Sequence, residues 1–268
     1  MTPQDRLDVA LLCAERAGLR VDPEKEYMLE NRLGPVARRE GFGSISDMLQ
    51  AVRDRDDQRL AWAVVEAMSP AESAFFRDPP SVELAVAQAL TDLARRRDGA
   101  TLRIWVAACG AGQEVYSAAM LLDEQAPVGV TIDLCASDLS DRRLEKARSG
   151  VYSQFEVQRG LPAQRLVRHF EKRDDSFVVA QRLRQMVRWR RVNLLEDLSP
   201  LGPFDLVFCR NVVGGMLDVA RARVLDNLKK VLTPDGYLVL GIADPAGDLD
   251  ILPGQPGIYR DQAGRRAA

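Results

Sequence analysis

The chain has 268 residues and a formal net charge of −2, and 46% of its residues are hydrophobic while 28% are charged. These values are typical of a globular protein with one large domain or two modest ones, and they provide no broad positive field for nucleic acid or an anionic membrane. No apolar run approaches the roughly 20 residues that a membrane-spanning helix needs, and the opening MTPQDRLDVA lacks the layout of a signal peptide. We therefore expect a cytoplasmic protein that does not insert directly into membranes.

Histidine and cysteine, which serve many active sites, are scarce. The only histidine, His169, lies in the charged stretch QRLVRHFEK, which favours a surface or helix-end position over a catalytic one. Histidine-dependent nucleophilic catalysis would rest on this one residue, and no metal site is expected. The four cysteines form no CxxC pair, so buried reduced thiols are favoured over a zinc site or a disulfide framework.

Residues 1 to about 70 have the spacing of an all-helical domain. An amphipathic stripe from Leu7 to Cys13 predicts the first helix. A second helix is expected to begin near Asp22-Pro23 and to be kinked or split at Pro35. Its apolar side is expected to carry Tyr27, Met28, Leu29, Leu33 and Val36. Ser44 is predicted to cap a third helix, and a fourth is expected from Asp57 to Met68.

The break after these helices, SPAESAFFRDPP, has unusual content for a linker. Phe75 and Phe76 stand side by side between Glu72 and Arg77, and we expect both aromatic rings to be buried. A helix is predicted to follow over Val82 to Arg97.

The rest of the chain is organised around Leu102 to Tyr116, LRIWVAACGAGQEVY. A buried strand over Leu102–Ala108, the turn Gly110-Ala111-Gly112 and the helix after it predict the first βα unit of a doubly wound sheet. The two glycines allow the backbone to approach a ligand closely, because no Cβ stands in the way, and the free amides at the helix start favour a polar or anionic group. An ordinary tight βα connection would use the same glycines.

The second strand strengthens this interpretation. Val130–Ala136 is apolar and leads to Asp138, and an acid about 20 to 30 residues after the glycine turn is placed to accept hydrogen bonds from ribose hydroxyls. The two strands together predict a site for an adenosine-type cofactor at their carboxyl ends.

The later elements continue the alternation around an insertion. A helix over Asp141–Ser149 is expected to be capped by Ser140 and stopped by Gly150. Residues 151–186 interrupt the pattern with a short helix, Ala163–Phe170, and strands at Phe177–Ala180 and Leu183–Val187. The remaining predicted elements are the strands Val187–Leu194, Phe204–Arg210, Tyr237–Ile242 and Gly257–Arg260, the helix Ala220–Leu232, a turn at Pro234-Asp235-Gly236 and a disordered tail, Gly264–Ala268.

Five blocks in order resemble the CheR-type chemoreceptor glutamate methyltransferases: ESAFFRD, IWVAACGAGQEVYSAAMLL, ASDLSDRRLEKARSGVY, FDLVFCRNV and LTPDGYLVLG. The resemblance covers nearly the whole chain. It implies an α/β class I methyltransferase fold with a Rossmann-like doubly wound sheet at 71–268, an N-terminal helical domain at 1–70 and an inserted β-subdomain at 151–186. It also implies methyl transfer from S-adenosylmethionine, with S-adenosylhomocysteine as product, to glutamate side chains in the cytoplasmic domains of chemoreceptors.

The resemblance and the glycine turn also name a set of candidate site residues. The expected cofactor contacts are Ser73, Arg77, Gly110, Gly112, Glu114, Asp138, Asn193, Leu194, Asn211 and Val212. Of these, Asp138 faces the ribose, and Asn193 with Leu194 faces the adenine. Arg77 is the candidate for orienting the substrate carboxylate or closing the site, although a salt bridge with Glu72 or Asp78 would also explain it.

The chemistry agrees with the scarcity of histidine. A glutamate carboxylate has a reference pKa of about 4.3 and is ionised near neutral pH, so it can attack a sulfonium methyl group without a general base. Catalysis then depends on holding the carboxylate and the methyl group in line and on excluding water.

The chain departs from the family pattern at several positions. Ala71 stands in place of an asparagine, Ser73 of a threonine, Gln113 of an acid, Gly214 and Gly215 of bulky residues, and Ala243-Asp244 of a serine-glutamate pair. One of the replaced bulky residues is a tyrosine that approaches the methyl group in the family. Its loss supports a second hypothesis, a protein of the same fold that binds S-adenosylmethionine or its product and signals through the helical domain.

Two further classes are weaker alternatives. Methylation of nucleic-acid amino groups commonly uses an Asn/Asp-Pro-Pro-aromatic turn after the fourth strand, and CRNVVGG has no proline there. A dehydrogenase is compatible with the predicted fold, but function does not follow from fold alone.

Overall fold

The computed structural model describes residues 1–55, 57–70, 73–94, 101–127 and 129–260, and the chain divides into two compact units. The first unit is Met1–Pro70 together with Gly215–Arg223, and the second comprises the described parts of Ala71–Gly214 and Val224–Ala268. Within the described residues we find no helix with the length and apolar character needed to cross a bilayer. The predicted end of the helix at Arg97 and the predicted tail Gly264–Ala268 lie outside the described residues.

Helices form the first unit: α1 (Pro3–Ala17), α2 (Glu26–Arg39), α3 (Ile45–Arg55) and α4 (Gln58–Met68). Side-chain caps begin three of them. The Thr2 hydroxyl accepts the N–H of Asp5, the Ser44 hydroxyl accepts the N–H of Asp47 and the Asp57 carboxylate accepts the N–H of Leu60. The predicted starts of α3 and α4 are therefore confirmed, because each cap satisfies a backbone N–H that has no partner within the helix.

The start of α2 and the exposure of Tyr27 differ from the prediction, whereas Leu29, Leu33 and Val36 are buried as expected. Pro23 lies in a turn three residues before the helix rather than in its first turn, and α2 runs through Pro35 without splitting. Tyr27 is 81% exposed, whereas Leu29 and Leu33, one helical turn apart, are fully buried. Packing of this buried side holds the helix continuous although proline removes one backbone hydrogen bond.

A segment distant in sequence completes the first unit. The N–H of Arg20 donates to the carbonyl of Gly215, and the N–H of Leu217 donates to the carbonyl of Gly18, each at 2.9 Å. Arg20 also pairs with Asp218 at 2.7 Å. Residues Gly215–Arg223 thus pack with the N-terminal helices.

The second unit begins with α5 (Pro79–Ala94), β1 (Thr101–Val106), α6 (Gln113–Gln125), β2 (Thr131–Asp138) and α7 (Asp141–Ser149). Phe75 and Phe76, which precede α5, are buried as predicted. The α7 prediction is confirmed at both ends, since the Ser140 hydroxyl accepts the N–H of Arg143 and Gly150 takes φ +62°. Helix α5 begins three residues before its predicted start.

The insertion carries a small antiparallel sheet and short helices: β3 (Val151–Ser153), α8 (Gln154–Gln158), α9 (Ala163–His169), β4 (Phe170–Arg173), β5 (Ser176–Val179) and α10 (Gln181–Gln185). The three strands lie in the order β3-β5-β4. The predicted strand Leu183–Val187 is wrong, because residues 181–185 form α10 with Leu183 fully buried. So short an apolar alternation fits a helical turn equally well.

The main sheet resumes with β6 (Val187–Arg191) and β7 (Phe204–Cys209), and then α11 (Asp218–Lys230), β8 (Leu232–Leu240), β9 (Asp250–Ile251) and β10 (Ile258–Arg260) follow. In the described residues the strand order is β6-β2-β1-β7-β8-β10-β9. The first five are parallel, and β10 is antiparallel to both of its neighbours. The order reverses at β1, so the carboxyl ends of β1, β2 and β7 border the crevice where ligands bind in such folds.

The turn predicted at Pro234-Asp235-Gly236 lies inside β8. Phe204 pairs with Leu232, while Leu206, two residues on, pairs with Tyr237. The extra residues of β8 form an irregularity in the ladder between these pairs. A Cβ on Gly236 would lie 3.0 Å from the carbonyl oxygen of Phe204, so the glycine permits this close approach.

Candidate functional site

The loop after β1 lies between its two neighbouring strands at the carboxyl edge of the sheet. The N–H of Ala107 donates to the carbonyl of Phe208 at 2.7 Å, and the N–H of Cys109 donates to the carbonyl of Ser137 at 2.8 Å. Ala108 has φ +50°, a conformation uncommon for a residue with a Cβ. Such strained residues often occur at ligand sites, where surrounding contacts hold them in place.

Asp138 joins the end of β2 to this glycine turn. One carboxylate oxygen accepts the N–H of Gly110 and the other accepts the N–H of Ser140, both at 2.9 Å. The residue is only 3% exposed. Both oxygens accept backbone N–H groups, so the carboxylate is fixed beside the turn, and each oxygen retains a lone pair for another donor.

The two glycines of the turn have different neighbours. A Cβ on Gly110, which has φ +57°, would lie 3.6 Å from the Cβ of Ser73, so Ser73 lies against the turn. Gly112 has φ +91°, and a Cβ there would lie 2.8 Å from the Cβ of Ala147 and 3.1 Å from the hydroxyl of Tyr152. Packing against α7 and β3 therefore accounts for Gly112.

Glu114 lies in the first turn of α6, where the helix dipole favours a negative charge. Its carboxylate accepts a hydrogen bond from Nη1 of Arg210 at 2.5 Å. Burial raises the pKa of the Glu114 carboxyl, and the positive charges of Arg210 and Arg77 act in the opposite direction. The α6 start thus holds a carboxylate that depends on a neighbouring cation.

Arg77 is half-buried in the loop before α5, and its backbone carbonyl accepts a hydrogen bond from Nη2 of Arg210 at 2.7 Å. The alternative salt bridge with Asp78 is not formed, because Asp78 pairs with Arg210 at 3.0 Å. Glu72, the other alternative partner, lies outside the described residues. The Arg77 guanidinium makes no ion pair with any residue that the structure describes.

Asn193 and Leu194 follow the carboxyl end of β6, the strand that pairs with β2. The N–H of Val192 donates to the carbonyl of Asp138 at 3.1 Å, which ties this turn to the end of β2. Oδ1 of Asn193 accepts the N–H of Leu195 at 3.2 Å, and Leu194 is buried. The sheet thus places both residues on the same edge as Asp138.

Asn211 and Val212 follow β7 and are both half-buried. Asn211 has φ +58°, and its N–H donates to Asp244 at 2.6 Å. Asp244 also accepts the N–H groups of Gly214 and Gly241, at 3.0 and 2.9 Å. One carboxylate therefore ties the loop after β7 to the loop after β8.

The functions of Arg210 and Asp244 are not predicted by the sequence. Arg210 stands within the FDLVFCRNV block, and Asp244 is one of the departures from the family pattern. Buried charge provides a signal for Arg210, since an arginine directly after an apolar strand needs partners.

His169 lies at the end of α9, as expected, but it is fully buried rather than on the surface. Its Nε2 lies 2.8 Å from Glu124 on α6, and its Nδ1 lies 3.0 Å from Nη2 of Arg182. Because the arginine can only donate, Nδ1 is the acceptor and Nε2 carries the proton. His169 thus fastens the insertion to α6.

The four cysteines are free and buried, as expected. Burial raises the pKa of the Cys109, Cys135 and Cys209 thiols, and the charge of Asp138 raises that of Cys109 further. These thiols remain protonated near neutral pH and are poor nucleophiles.

Comparison with known proteins gives consistent matches along both units. The SAM binding domain of the CheR methyltransferases matches residues 71–249, and the all-alpha domain of the CheR methyltransferases matches residues 9–69. The chain is 34% identical to chemotaxis protein methyltransferase 1 of Pseudomonas aeruginosa and 32% identical to chemotaxis protein methyltransferase Cher2 of Pseudomonas putida, each over 240 residues covering 87% of this chain and 86% of the relative. Among solved structures, PKMT2 of Rickettsia typhi in complex with AdoHcy aligns with a TM-score of 0.40 and 14% identity, covering 64% of this chain and 26% of that one, a likeness too distant to inform the site.

The match to the SAM binding domain identifies a methyltransferase that uses S-adenosylmethionine, and the sheet order, the glycine turn after β1 and the acid at the end of β2 agree with the class I fold. The chain belongs to the CheR methyltransferase family. The fold, the methyltransferase activity and the cofactor expected from the sequence are thereby confirmed.

Proposed function

We propose that this protein transfers the methyl group of S-adenosylmethionine to glutamate side chains in the cytoplasmic domains of chemoreceptors. The observation that carries the proposal is the similarity along both units to proteins named chemotaxis methyltransferases, at 34% and 32% identity over 87% of the chain. The reaction would take place in the cytoplasm, where those receptor domains lie.

The residues at the carboxyl edge of the sheet fit such a cofactor. S-adenosylmethionine carries positive charge on its sulfonium and amino groups, and Glu114 and Asp138 provide carboxylates beside the glycine turn. We assign the ribose hydroxyls to the remaining lone pairs of Asp138 and the adenine to Asn193 and Leu194. The remaining proposed contacts are Ser73, Arg77, Gly110, Gly112, Glu114, Asn211 and Val212.

S-adenosylmethionine supplies, when bound, a methyl group that a substrate carboxylate takes as the new oxygen–carbon bond forms and the carbon–sulfur bond breaks. The side chains of this protein need not remove a proton, because the attacking glutamate is already ionised near neutral pH. Their part is to orient the reactants and exclude water. We assign the orientation of the substrate carboxylate to Arg77.

The domain division proposed for this function follows the same assignment. Residues 1–70 form the N-terminal helical domain, residues 71–268 form the methyltransferase domain and residues 151–186 form its inserted subdomain. Support comes from the family matches at 9–69 and 71–249.

The second candidate is a protein that binds the cofactor or its product without transferring the methyl group. Gly214 and Gly215, where the family pattern has bulky residues including a tyrosine, are the observation in its favour. The names of the relatives support the enzyme.

The proposal is tested with S-adenosylmethionine labelled in the methyl group and with purified cytoplasmic fragments of chemoreceptors. Label that enters the fragment and is released as methanol by alkali would identify a carboxyl methyl ester. A parallel calorimetric titration measures cofactor binding. Transfer supports the enzyme, binding without transfer supports the second candidate, and neither binding nor transfer would contradict both.

A further inference from the structure

Arg210 is a buried cation directly after β7. Its side chain is only 1% exposed, and burial of an arginine is unfavourable unless its charge is paired. The guanidinium satisfies this requirement with groups from two other segments of the second unit.

The partners of Arg210 come from the residues proposed to hold the cofactor and from the loop beside them. Nη1 donates to the Glu114 carboxylate at 2.5 Å, and Nη2 donates to the Arg77 carbonyl at 2.7 Å and to Asp78 at 3.0 Å. A planar guanidinium can reach partners in different directions at once, which a lysine ammonium on a flexible stem does not do with the same geometry. Arg210 therefore links β7, the start of α6 and the loop before α5.

The loop before α5, which carries Arg77, needs contacts from other segments to hold its conformation. Phe76 and Asp78, on either side of Arg77, have φ +45° and +48°, conformations that cost energy for residues with a Cβ. The Ser117 hydroxyl accepts the N–H of Phe76 at 2.9 Å on one side of Arg77, and Arg210 holds Asp78 on the other side. The conformation of the loop that carries Arg77 thus depends on the Arg210 guanidinium.

Glu114 depends on the same guanidinium for its charge. Burial raises the pKa of the Glu114 carboxyl, and the attraction of Arg210 is the strongest opposing influence. The other groups that face Glu114 are Arg77, which also favours the carboxylate, and Asp78 with the thiols of Cys109 and Cys209, which do not. Without Arg210, Glu114 would take up a proton at a higher pH.

We propose that Arg210 is a positioning residue for methyl transfer: it pairs with the Glu114 carboxylate at the start of α6 and holds the Arg77 loop beside the same site. The inference rests on the proposed function, because it takes Glu114 and Arg77 as cofactor and substrate contacts.

The test uses Arg210→Gln and Arg210→Lys in the full chain, with Arg103→Gln as the matched control. Arg103 pairs with Asp133 and donates to the carbonyls of Pro203 and Leu201, so it makes the same kinds of contact at the amino end of β1, away from the site. Binding of S-adenosylhomocysteine is titrated calorimetrically from pH 6 to pH 9, and the melting temperature of each variant is recorded.

Arg210→Gln is expected to weaken binding of S-adenosylhomocysteine at least tenfold at pH 7. The fall in affinity that accompanies a decrease in pH should begin at a higher pH in this variant than in the wild type. Arg210→Lys retains the charge, so we expect a pH profile like that of the wild type with weaker binding. Arg103→Gln is expected to lower the melting temperature and leave the affinity within twofold of wild type.

Three results would overturn the inference. They are unchanged binding by Arg210→Gln, a pH profile of Arg210→Gln that does not differ from wild type, and a profile of Arg210→Lys displaced as far as that of Arg210→Gln. If Arg210→Gln does not fold, the comparison of Arg210→Lys with wild type decides. A wild-type protein that binds no cofactor would refute the proposed function and the inference together, whereas a wild type that binds while Arg210→Gln binds equally well refutes the inference alone.

Discussion

Asp244 accepts the backbone N–H of Asn211 at 2.6 Å across 33 positions of sequence. Two further N–H groups, from Gly214 and Gly241, donate to the same carboxylate. We call this set of three hydrogen bonds to Asp244 the clasp. The family pattern has a serine-glutamate pair where this chain has Ala243-Asp244, so the clasp depends on a residue that departs from that pattern.

Asp244→Ala is expected to destabilise the protein by roughly 2 to 4 kcal/mol, because three N–H groups lose a charged acceptor. It should also weaken cofactor binding, since Asn211 would no longer be held at φ +58°. Urea unfolding and calorimetry measure the two effects. The control is Asp248→Ala, which removes an exposed partner of Lys229, and equal losses in the two variants would show that the clasp contributes nothing special.

Asp138→Asn should reduce the affinity for S-adenosylmethionine at least tenfold from the micromolar value that we expect for the wild type. The amide keeps one acceptor oxygen but cannot accept hydrogen bonds at both positions, so the ribose hydroxyls and the N–H of Gly110 would compete. Calorimetry provides the measurement. Asp133→Asn, at the opposite end of β2, serves as the control, and equal heats for wild type and Asp138→Asn would argue against the ribose contact.

The two glycines of the turn should respond differently to alanine. Gly112→Ala is expected to cost about 2 to 4 kcal/mol, since its Cβ would overlap that of Ala147 at 2.8 Å and its φ is +91°. Gly110→Ala has room for a Cβ and should cost about 1 to 2 kcal/mol, the ordinary cost of a left-handed conformation. Chemical denaturation of both variants measures the difference, and a larger loss for Gly110→Ala would contradict it.

Gly215→Tyr should raise the rate of methyl transfer several-fold. The reason is that the family pattern has a tyrosine at this position, and that tyrosine lies near the transferred methyl group. Within 4 Å, a Cβ on Gly215 meets only Pro70 among the described residues, at 3.9 Å, so the backbone there has room for a Cβ. The labelled-methyl assay provides the rate, with Gly215→Leu as a control for bulk without the hydroxyl. An unchanged rate in Gly215→Tyr would show that a tyrosine at this position does not assist transfer.

Asp5 should make stability depend on acid pH. Its burial acts to raise the pKa of the carboxyl, but hydrogen bonds from Ser46, Thr2 and Arg53 outweigh that effect and lower the pKa to about 2. A carboxyl with a folded pKa below its unfolded value of about 3.9 stabilises the protein above that value. This stability, about 2 kcal/mol, is lost as the pH falls from about 4 towards 2.

In Asp5→Asn the acidic decline in the free energy of unfolding should therefore be shallower than in the wild type. Asp8, which also pairs with Arg53, provides the control variant Asp8→Asn. An equally steep decline in wild type and Asp5→Asn would show that Asp5 is not the titrating group.

The sequence predicted the helices and strands that are defined by residues close together in the chain, such as caps and apolar runs. Ser140 and Gly150 bracket α7, and the run Phe204–Cys209 is apolar enough to identify β7. The prediction failed where one pattern fits two structures. Leu183–Val187 satisfies either a strand or a helical turn, and Pro234-Asp235-Gly236 occupies an irregular position within a strand instead of a turn.

Site residues such as Asp138 could be predicted because they lie in the family blocks or follow the glycine turn. The roles of Arg210 and Asp244 could not be predicted, because they depend on contacts with residues 96 and 33 positions away in sequence. The buried position of His169 likewise depends on Glu124, 45 positions away. A single sequence does not contain these pairings.

The ring of Phe75 packs edge-on against Tyr152 of the insertion at 5.0 Å and against Phe170 at 5.7 Å. A Cβ on Gly160 would lie 2.1 Å from the Phe75 carbonyl, so the insertion presses directly on the peptide two residues before Arg77. Densely packed interiors transmit small displacements. A displacement of the insertion would therefore shift the loop that carries Arg77.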